Sequence, residues 1–202
     1  MTQIASTSNK PVIVLLRGLF RDQRHWGTFP MRLQQQLPEY HVLCLDTLGN
    51  GELSQQVSPL KMEEYAQYLL KQLEYHQVRS CTIIGLSLGA MIGICALAAS
   101  PGHISHVIAI NSSSRLSPWW QRFNLPFALN KLLRAKKHTH CSRLEQGILQ
   151  FTSTQQRDNH TLLKQWSEYR QANHTRMING IRQIIAAARF IPTPMLIGQS
   201  NI

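Results

Sequence analysis

At 202 residues and 43% hydrophobic content, the chain is sized for one globular domain with a substantial core. Met1–Lys10 is polar with no apolar run, which argues against a secretory signal. Cys44, Cys81, Cys95 and Cys141 have neither metal nor redox spacing. The 21 Lys and Arg against 10 Asp and Glu leave a net charge of +11, with no nucleic-acid motif beside it and no internal repeat. In chain order, Val12–Leu16 (VIVLL) reads as a fully buried strand, followed by a loop from Arg17 to Trp26. A helical stretch around Phe29–Leu37 and a second strand at Val42–Leu45 come next, then the loop Asp46–Ser54. From Lys61 to His76, Met62, Tyr65, Leu69 and Leu73 recur at three- and four-residue steps, giving a helix with one apolar face.

The next segment, Cys81–Ser100, holds Gly85-Leu86-Ser87-Leu88-Gly89, a G-x-S-x-G between a β-branched run and a small-residue helical run. That context predicts a strand feeding a helix through a sharp turn, with a serine hydroxyl at its tip. Bulky side chains two residues either side would collide across so tight a bend, which explains the glycines and the small Ala90. Ser87 would sit at a helix N-terminus, where free N–H groups favour developing negative charge. A membrane span over 81–99 is the competing reading, with Gly85, Gly89 and Gly93 at four-residue spacing. The strand character of Cys81–Ile84 and the lack of a flanking basic cluster oppose it. A further strand at Val107–Ile110 follows. Strand and helix alternate without a hairpin signal, so the sheet is predicted parallel and covered on both faces.

These segments resemble the α/β-hydrolase family. Arg17–Trp26 is similar to the family's oxyanion segment, Asp46–Ser54 to its D-x-P-G-x-G-x-S segment, and Ile108–Ser113 to the strand that precedes the cap. Ile191–Gly198 (IPTPMLIG) resembles the strand that presents the catalytic acid. The resemblance implies an α/β fold: a mainly parallel, doubly wound sheet with a helical cap insertion, lacking the family's last strand and helix. It divides the chain into a hydrolase core over 1–114, a basic cap over 115–190 and a penultimate core strand over 191–202. By the same resemblance Ser87 is the nucleophile, and the backbone amides of Leu88 and Leu19 form the oxyanion hole. Gly18 lets the backbone approach the substrate. The family's acid and histidine are expected beyond residue 202. The resemblance implies no metal and no organic cofactor.

Two departures stand out. Arg17 replaces the family's usual histidine, and it could pair with Asp22, be held by loop carbonyls or reach an anionic substrate. Leu48 replaces the proline of the second loop. Asp158-Asn159 reads as helix capping rather than as part of a triad, and Asp22 and Asp46 as loop residues. Within 115–190, 13 basic residues face 3 acidic ones. Helices are expected near Pro118–Lys137, Ser142–Phe151, His160–Ala172 and Thr175–Arg189. Trp119 and Trp120 supply apolar surface either to packing of the cap or to an acyl-binding pocket. The expected function is serine-dependent hydrolysis of a small acyl ester or thioester, with an acidic carrier as a possible escort, in the cytoplasm. No nucleic acid and no integral membrane segment are expected, and the oligomeric state is left open. The alternative is a catalytically incomplete hydrolase fold that binds an acidic partner.

Overall fold

β1 (Val12–Leu16) is apolar on every residue and pairs in parallel with a neighbour on each edge, and its alternate residues are buried in cores on opposite faces. A computed structural model of the chain describes residues 10–118, 140–156 and 158–192. The described elements continue with α1 (Phe29–Gln36), β2 (His41–Leu45), α2 (Met62–Tyr75), β3 (Cys81–Leu86), α3 (Leu88–Ala99) and β4 (Ile104–Ile110). Three helices follow: α4 (His140–Thr152), α5 (His160–Ala172) and α6 (Met177–Arg189). The strands form a parallel sheet in the order β2-β1-β3-β4.

Alternate strand residues serve opposite faces, as the pleat requires. Val14, Leu16 and Ile83 point into the main core with Tyr65, Leu69, Leu73, Met91, Ile92, Ala186 and Phe190, so α2, α3 and α6 cover one face. Ile13, Leu15 and Ile84 point the other way, against Trp26, Leu33 and Leu37. The helical face predicted from Met62, Tyr65, Leu69 and Leu73 is buried throughout. Cys81–Ala99 is a strand and a 12-residue helix rather than one span, and no helix among the described residues is long and apolar enough to cross a membrane.

β1 leads to β2 on one side, whereas β3 leads to β4 on the other. The chain therefore reverses direction across the sheet between β1 and β3, and their adjacent carboxyl ends form the crevice where open α/β sheets bind ligands. Leu16 lies opposite Gly85 in that pair, which puts Arg17-Gly18 beside Leu86-Ser87.

The backbone N–H of Arg115 donates to the carbonyl of Phe190 (2.8 Å), which brings these two positions together. Residues from Thr175 onward belong to the first compact unit with the chain up to Leu116, and the second unit is Ser117–His174. The reason is burial: Ala186 and Ala187 of α6, and Phe190 just after it, enter the main core. Within the second unit, α4 packs on α5, with Leu149, Trp166 and Glu145 buried and Arg170 Nη1 3.6 Å from Glu145 Oε1. Asn159 caps α5 by accepting from Leu162 N–H (3.0 Å), the capping role read for this stretch. The helix expected near Pro118–Lys137, Trp119 and Trp120, and most of the strand expected at Ile191–Gly198 lie outside the described residues.

Candidate active site

The turn at Ser87 is sharp because three backbones converge on it. A Cβ on Gly85 would lie 2.5 Å from Cα and N of Ala90, and one on Gly89 would lie 2.4 Å from the Leu16 carbonyl oxygen. Both approaches are to main chain, which cannot swing aside. One on Gly18 would lie 3.1 Å from the Leu86 carbonyl oxygen and 3.2 Å from Ser87 Cβ, so the first loop runs directly past the serine. Ser87 itself holds φ 54°, ψ −112°, a region an L-residue enters at a cost of about 1–3 kcal/mol. Surrounding bonds hold it there. Its N–H donates to Ile110 O (2.8 Å), and its carbonyl accepts from Ala90 N–H (3.0 Å), Met91 N–H (3.2 Å) and Ser112 Oγ (3.3 Å).

Ser87 is half-buried and stands directly before α3, so the first free N–H groups of that helix adjoin its side chain. The N–H groups of Leu88 and Leu19 donate to no backbone acceptor among the described residues outside the helix and sheet ladders. No histidine among the described residues hydrogen-bonds Ser87. Asn111, just past β4, is exposed with φ 48°.

Arg17 does not pair with Asp22. Its guanidinium carbon lies 4.9 Å from the centre of the Trp26 ring, and its buried Nε has no hydrogen-bond partner among the described residues. Burial, reinforced by the like charge of Arg21 and partly offset by Asp22, pulls the Arg17 pKa down to about 10. Asp22 is taken by other groups. Its carboxylate accepts from Arg24 Nη2 (2.7 Å), Nε (3.0 Å) and N–H (3.0 Å), and His25 Nδ1 lies 3.1 Å away. Burial opposes ionisation of Asp22, but the hydrogen bonds and charges of His25 and Arg24 outweigh it and hold the carboxyl far below the usual range.

A carboxyl depressed in the fold contributes stability above its unfolded pKa of 3.8 and loses that contribution as the pH falls further. Asp22→Asn should therefore flatten the loss of stability between pH 4 and pH 2, measured by urea unfolding across that range. An unchanged acid slope would contradict this assignment.

The second loop is fixed by Asp46, which accepts from Gln23 N–H (2.7 Å) and Glu52 N–H (3.0 Å) and so ties the two loops together. Burial, with repulsion from Asp22, raises the Asp46 pKa against the pull of those bonds. Asp22 and Asp46 are thus loop residues, as read from the sequence.

Sequence reasoning missed the polar residues that α6 brings to these loops. Asn179 accepts from Ser58 N–H (2.9 Å) and donates to Gln56 O (2.8 Å) and Ser54 O (3.2 Å). Gln183 donates to Asn50 Oδ1 (3.1 Å) and Ser58 Oγ (3.2 Å), and Thr175 donates to Asn50 Oδ1 (2.6 Å). The signal was present: Thr175, Asn179 and Gln183 recur every four residues within an Ile- and Ala-rich stretch. A helix whose inward stripe is polar is read backwards by hydropathy. Ile178, Ile181 and Ile184 are accordingly the exposed residues.

A sequence profile of the alpha/beta hydrolase fold matches residues 11–192. Among curated relatives, the chain is 30% identical over 112 residues to Karrikin insensitive 2 receptor CA of Petunia hybrida, covering 54% of this chain and 40% of that protein. It is 24% identical over 113 residues to 3-oxoadipate enol-lactonase 2 of Acinetobacter baylyi, with the same coverage. The chain thus spans about two-fifths of the length of these relatives. Among solved structures, a hydrolase from Pseudomonas aeruginosa superposes with a TM-score of 0.65 at 20% identity, over 92% of this chain and 66% of that one. Described by a parallel switch-point sheet, a strained serine between β3 and α3, and a family match across nearly all of its length, the chain belongs to the alpha/beta hydrolase fold family.

Proposed function

We propose that Ser87 is the nucleophile of an acyl hydrolase acting on a carboxylic ester or thioester. Ser87 Oγ attacks the acyl carbonyl, and the carbonyl π electrons move onto oxygen to give a tetrahedral oxyanion. The N–H groups of Leu88 and Leu19 receive that charge, which is absent in the ground state, so their contribution lowers the barrier selectively. Collapse expels the alcohol or thiol and leaves an acyl-enzyme, which water then hydrolyses. Gly18 admits the substrate beside the serine. The proton of Ser87 requires a base, and this reading assigns base and orienting acid to chain outside the described residues. The observation that carries the proposal is the strained φ of Ser87, sustained by close main-chain contacts at Gly85 and Gly89.

The excess of 13 basic over 3 acidic residues in 115–190 supports an anionic substrate or an acidic acyl carrier. Trp119 and Trp120 are proposed to contribute apolar surface for the acyl chain. The thiols of Cys44, Cys81 and Cys95 are unpaired, and burial raises their pKa values to about 11, 11 and 12. Such inert free thiols suit the cytoplasm.

Relatives named as an enol-lactonase and as a receptor frame the choice between turnover and binding. Hydrolysis of p-nitrophenyl acyl esters decides it. Assayed on protein that includes that base and acid, the proposal expects steady release of p-nitrophenol that vanishes in Ser87→Ala. Folded protein with no release above the uncatalysed rate would reject the enzymatic reading in favour of binding.

A further inference from the structure

We infer that Gln183 of α6 is a positioning residue for the loop that carries the Leu19 amide, an inference that rests on the reading of Ser87 as nucleophile. The loop Gly18–Arg21 is a tight turn closed by Arg21 N–H on Gly18 O (3.2 Å), with Phe20 as its third residue at φ 58°. A positive φ at that position marks a type II turn, which differs from type I by a flip of the central peptide. Glycine or asparagine is the usual occupant. A phenylalanine there is strained, so something must hold the peptide.

Gln183 supplies that restraint. Its Oε1 accepts the N–H of Phe20 (3.3 Å), the donor of the flippable Leu19–Phe20 peptide. Its Nε2 is fixed in turn by Asn50 Oδ1 (3.1 Å) and Ser58 Oγ (3.2 Å), so the amide cannot rotate without losing partners at both ends. Gln183 is fully buried, and the loss of any of these bonds would leave a buried group unpaired. The neighbouring turn of α6 grips the same residue by shape. A Cβ on Gly180 would lie 1.9 Å from Phe20 Cε1, so the ring packs flush on the helix backbone. One helix thus holds residue 20 by its N–H and by its ring, while residue 18 lies against Ser87. Between those two fixed points sits the Leu19 amide. Gln183 touches neither substrate nor Ser87 and acts through the turn alone.

The test compares Gln183→Met, which keeps length and loses the amide's bonds to Phe20, Asn50 and Ser58, with Thr175→Val, which removes a bond to the same Asn50 Oδ1 but leaves residue 20 untouched. Two readouts are taken on folded protein: the second-order rate of labelling by a fluorophosphonate probe, and hydrogen exchange of the Phe20 amide by NMR. The inference expects Gln183→Met to label about tenfold to a hundredfold more slowly, short of the 10²–10³ that losing a whole oxyanion donor costs. It also expects Phe20 to exchange at least about tenfold faster, as a buried amide does once its acceptor is gone. Thr175→Val should change neither, even where both variants melt earlier. If Gln183→Met does not fold, Gln183→Asn, which withdraws the amide by one methylene, is measured instead with the same expectation. Equal slowing in both variants would reduce Gln183 to a structural residue and overturn the inference. Wild-type protein that takes no label would sink the nucleophile reading itself. The exchange measurement separates that failure, because unchanged Phe20 protection in Gln183→Met overturns the inference whichever way labelling falls.

Discussion

Gly89→Ala is expected to destabilise the fold by about 3 kcal/mol or more, at the upper end of what overpacking costs and a large part of a typical domain's stability. The added methyl would sit 2.4 Å from the Leu16 carbonyl oxygen and 2.8 Å from that of Arg17, both main chain of the central strand and its exit. Relief requires α3 to lift off β1, which pulls the helix N-terminus away from Ser87. The same substitution one helical turn on provides the contrast. The atoms nearest a Cβ on Gly93 are side-chain ones, Ile83 Cγ2 at 3.0 Å and Val107 Cγ1 at 3.2 Å, which can shift by a few tenths of an ångström. Alanine also gains about 1 kcal/mol of helix propensity over glycine, so Gly93→Ala should be close to neutral. Urea unfolding of the two variants checks this, and similar losses in both would contradict the elbow geometry.

Ser87→Ala and Ser87→Gly should both abolish ester turnover, falling by three orders of magnitude or more, as removal of a nucleophile does. Their stabilities should diverge in an unusual order. Elsewhere in a fold alanine is more stable than glycine, because glycine loses more backbone entropy. At φ 54°, ψ −112° alanine retains the Cβ that makes the conformation costly, and glycine does not. Ser87→Gly should therefore be more stable than Ser87→Ala by about 1 kcal/mol, the strain relieved less the entropy lost. Thermal melts of the pair decide the point. The ordinary order, with alanine the more stable, would mean that residue 87 is not strained.

Much of this geometry was legible in the chain because it is written in local spacing. Glycines two residues either side of Ser87 mark a bend, and the runs at Val12–Leu16 and Cys81–Ile84 mark buried parallel strands. Met62, Tyr65, Leu69 and Leu73 give their helix away by period alone. The apolar run suggests a strand from Val107, whereas β4 starts at Ile104: Ser105 and His106 interrupt the run, and the register with β3 shifts at Ser105 before pairing resumes at His106. What was illegible depends on partners far apart in sequence. Phe20 and Gln183 are separated by 163 positions, and no periodicity connects them. Charge counting marked 115–190 as one basic stretch but could not show that Ala186, Ala187 and Phe190 near its end enter the core. Arg17 was ambiguous for a similar reason. Asp22, loop carbonyls and an anionic substrate were all open to it; Arg24 and His25 occupy the Asp22 carboxylate, and the guanidinium lies over Trp26 instead, a partner that the sequence did not suggest.

The polar stripe of α6 adds a physical point about the family architecture in this chain. Loops at the carboxyl ends of a parallel sheet have no ladder to satisfy their backbone groups, so buried loops need side-chain partners. Here α6 provides them, through Asn179 to Ser54, Gln56 and Ser58, and through Gln183 to Phe20 and Asn50.

The most direct measurement is peptide mapping by mass spectrometry of the folded chain after reaction with a fluorophosphonate. A single phosphonyl adduct on Ser87, lost on prior heat unfolding, is the expected result. An unmodified Ser87 in folded protein, or an adduct confined to another residue, would contradict the account.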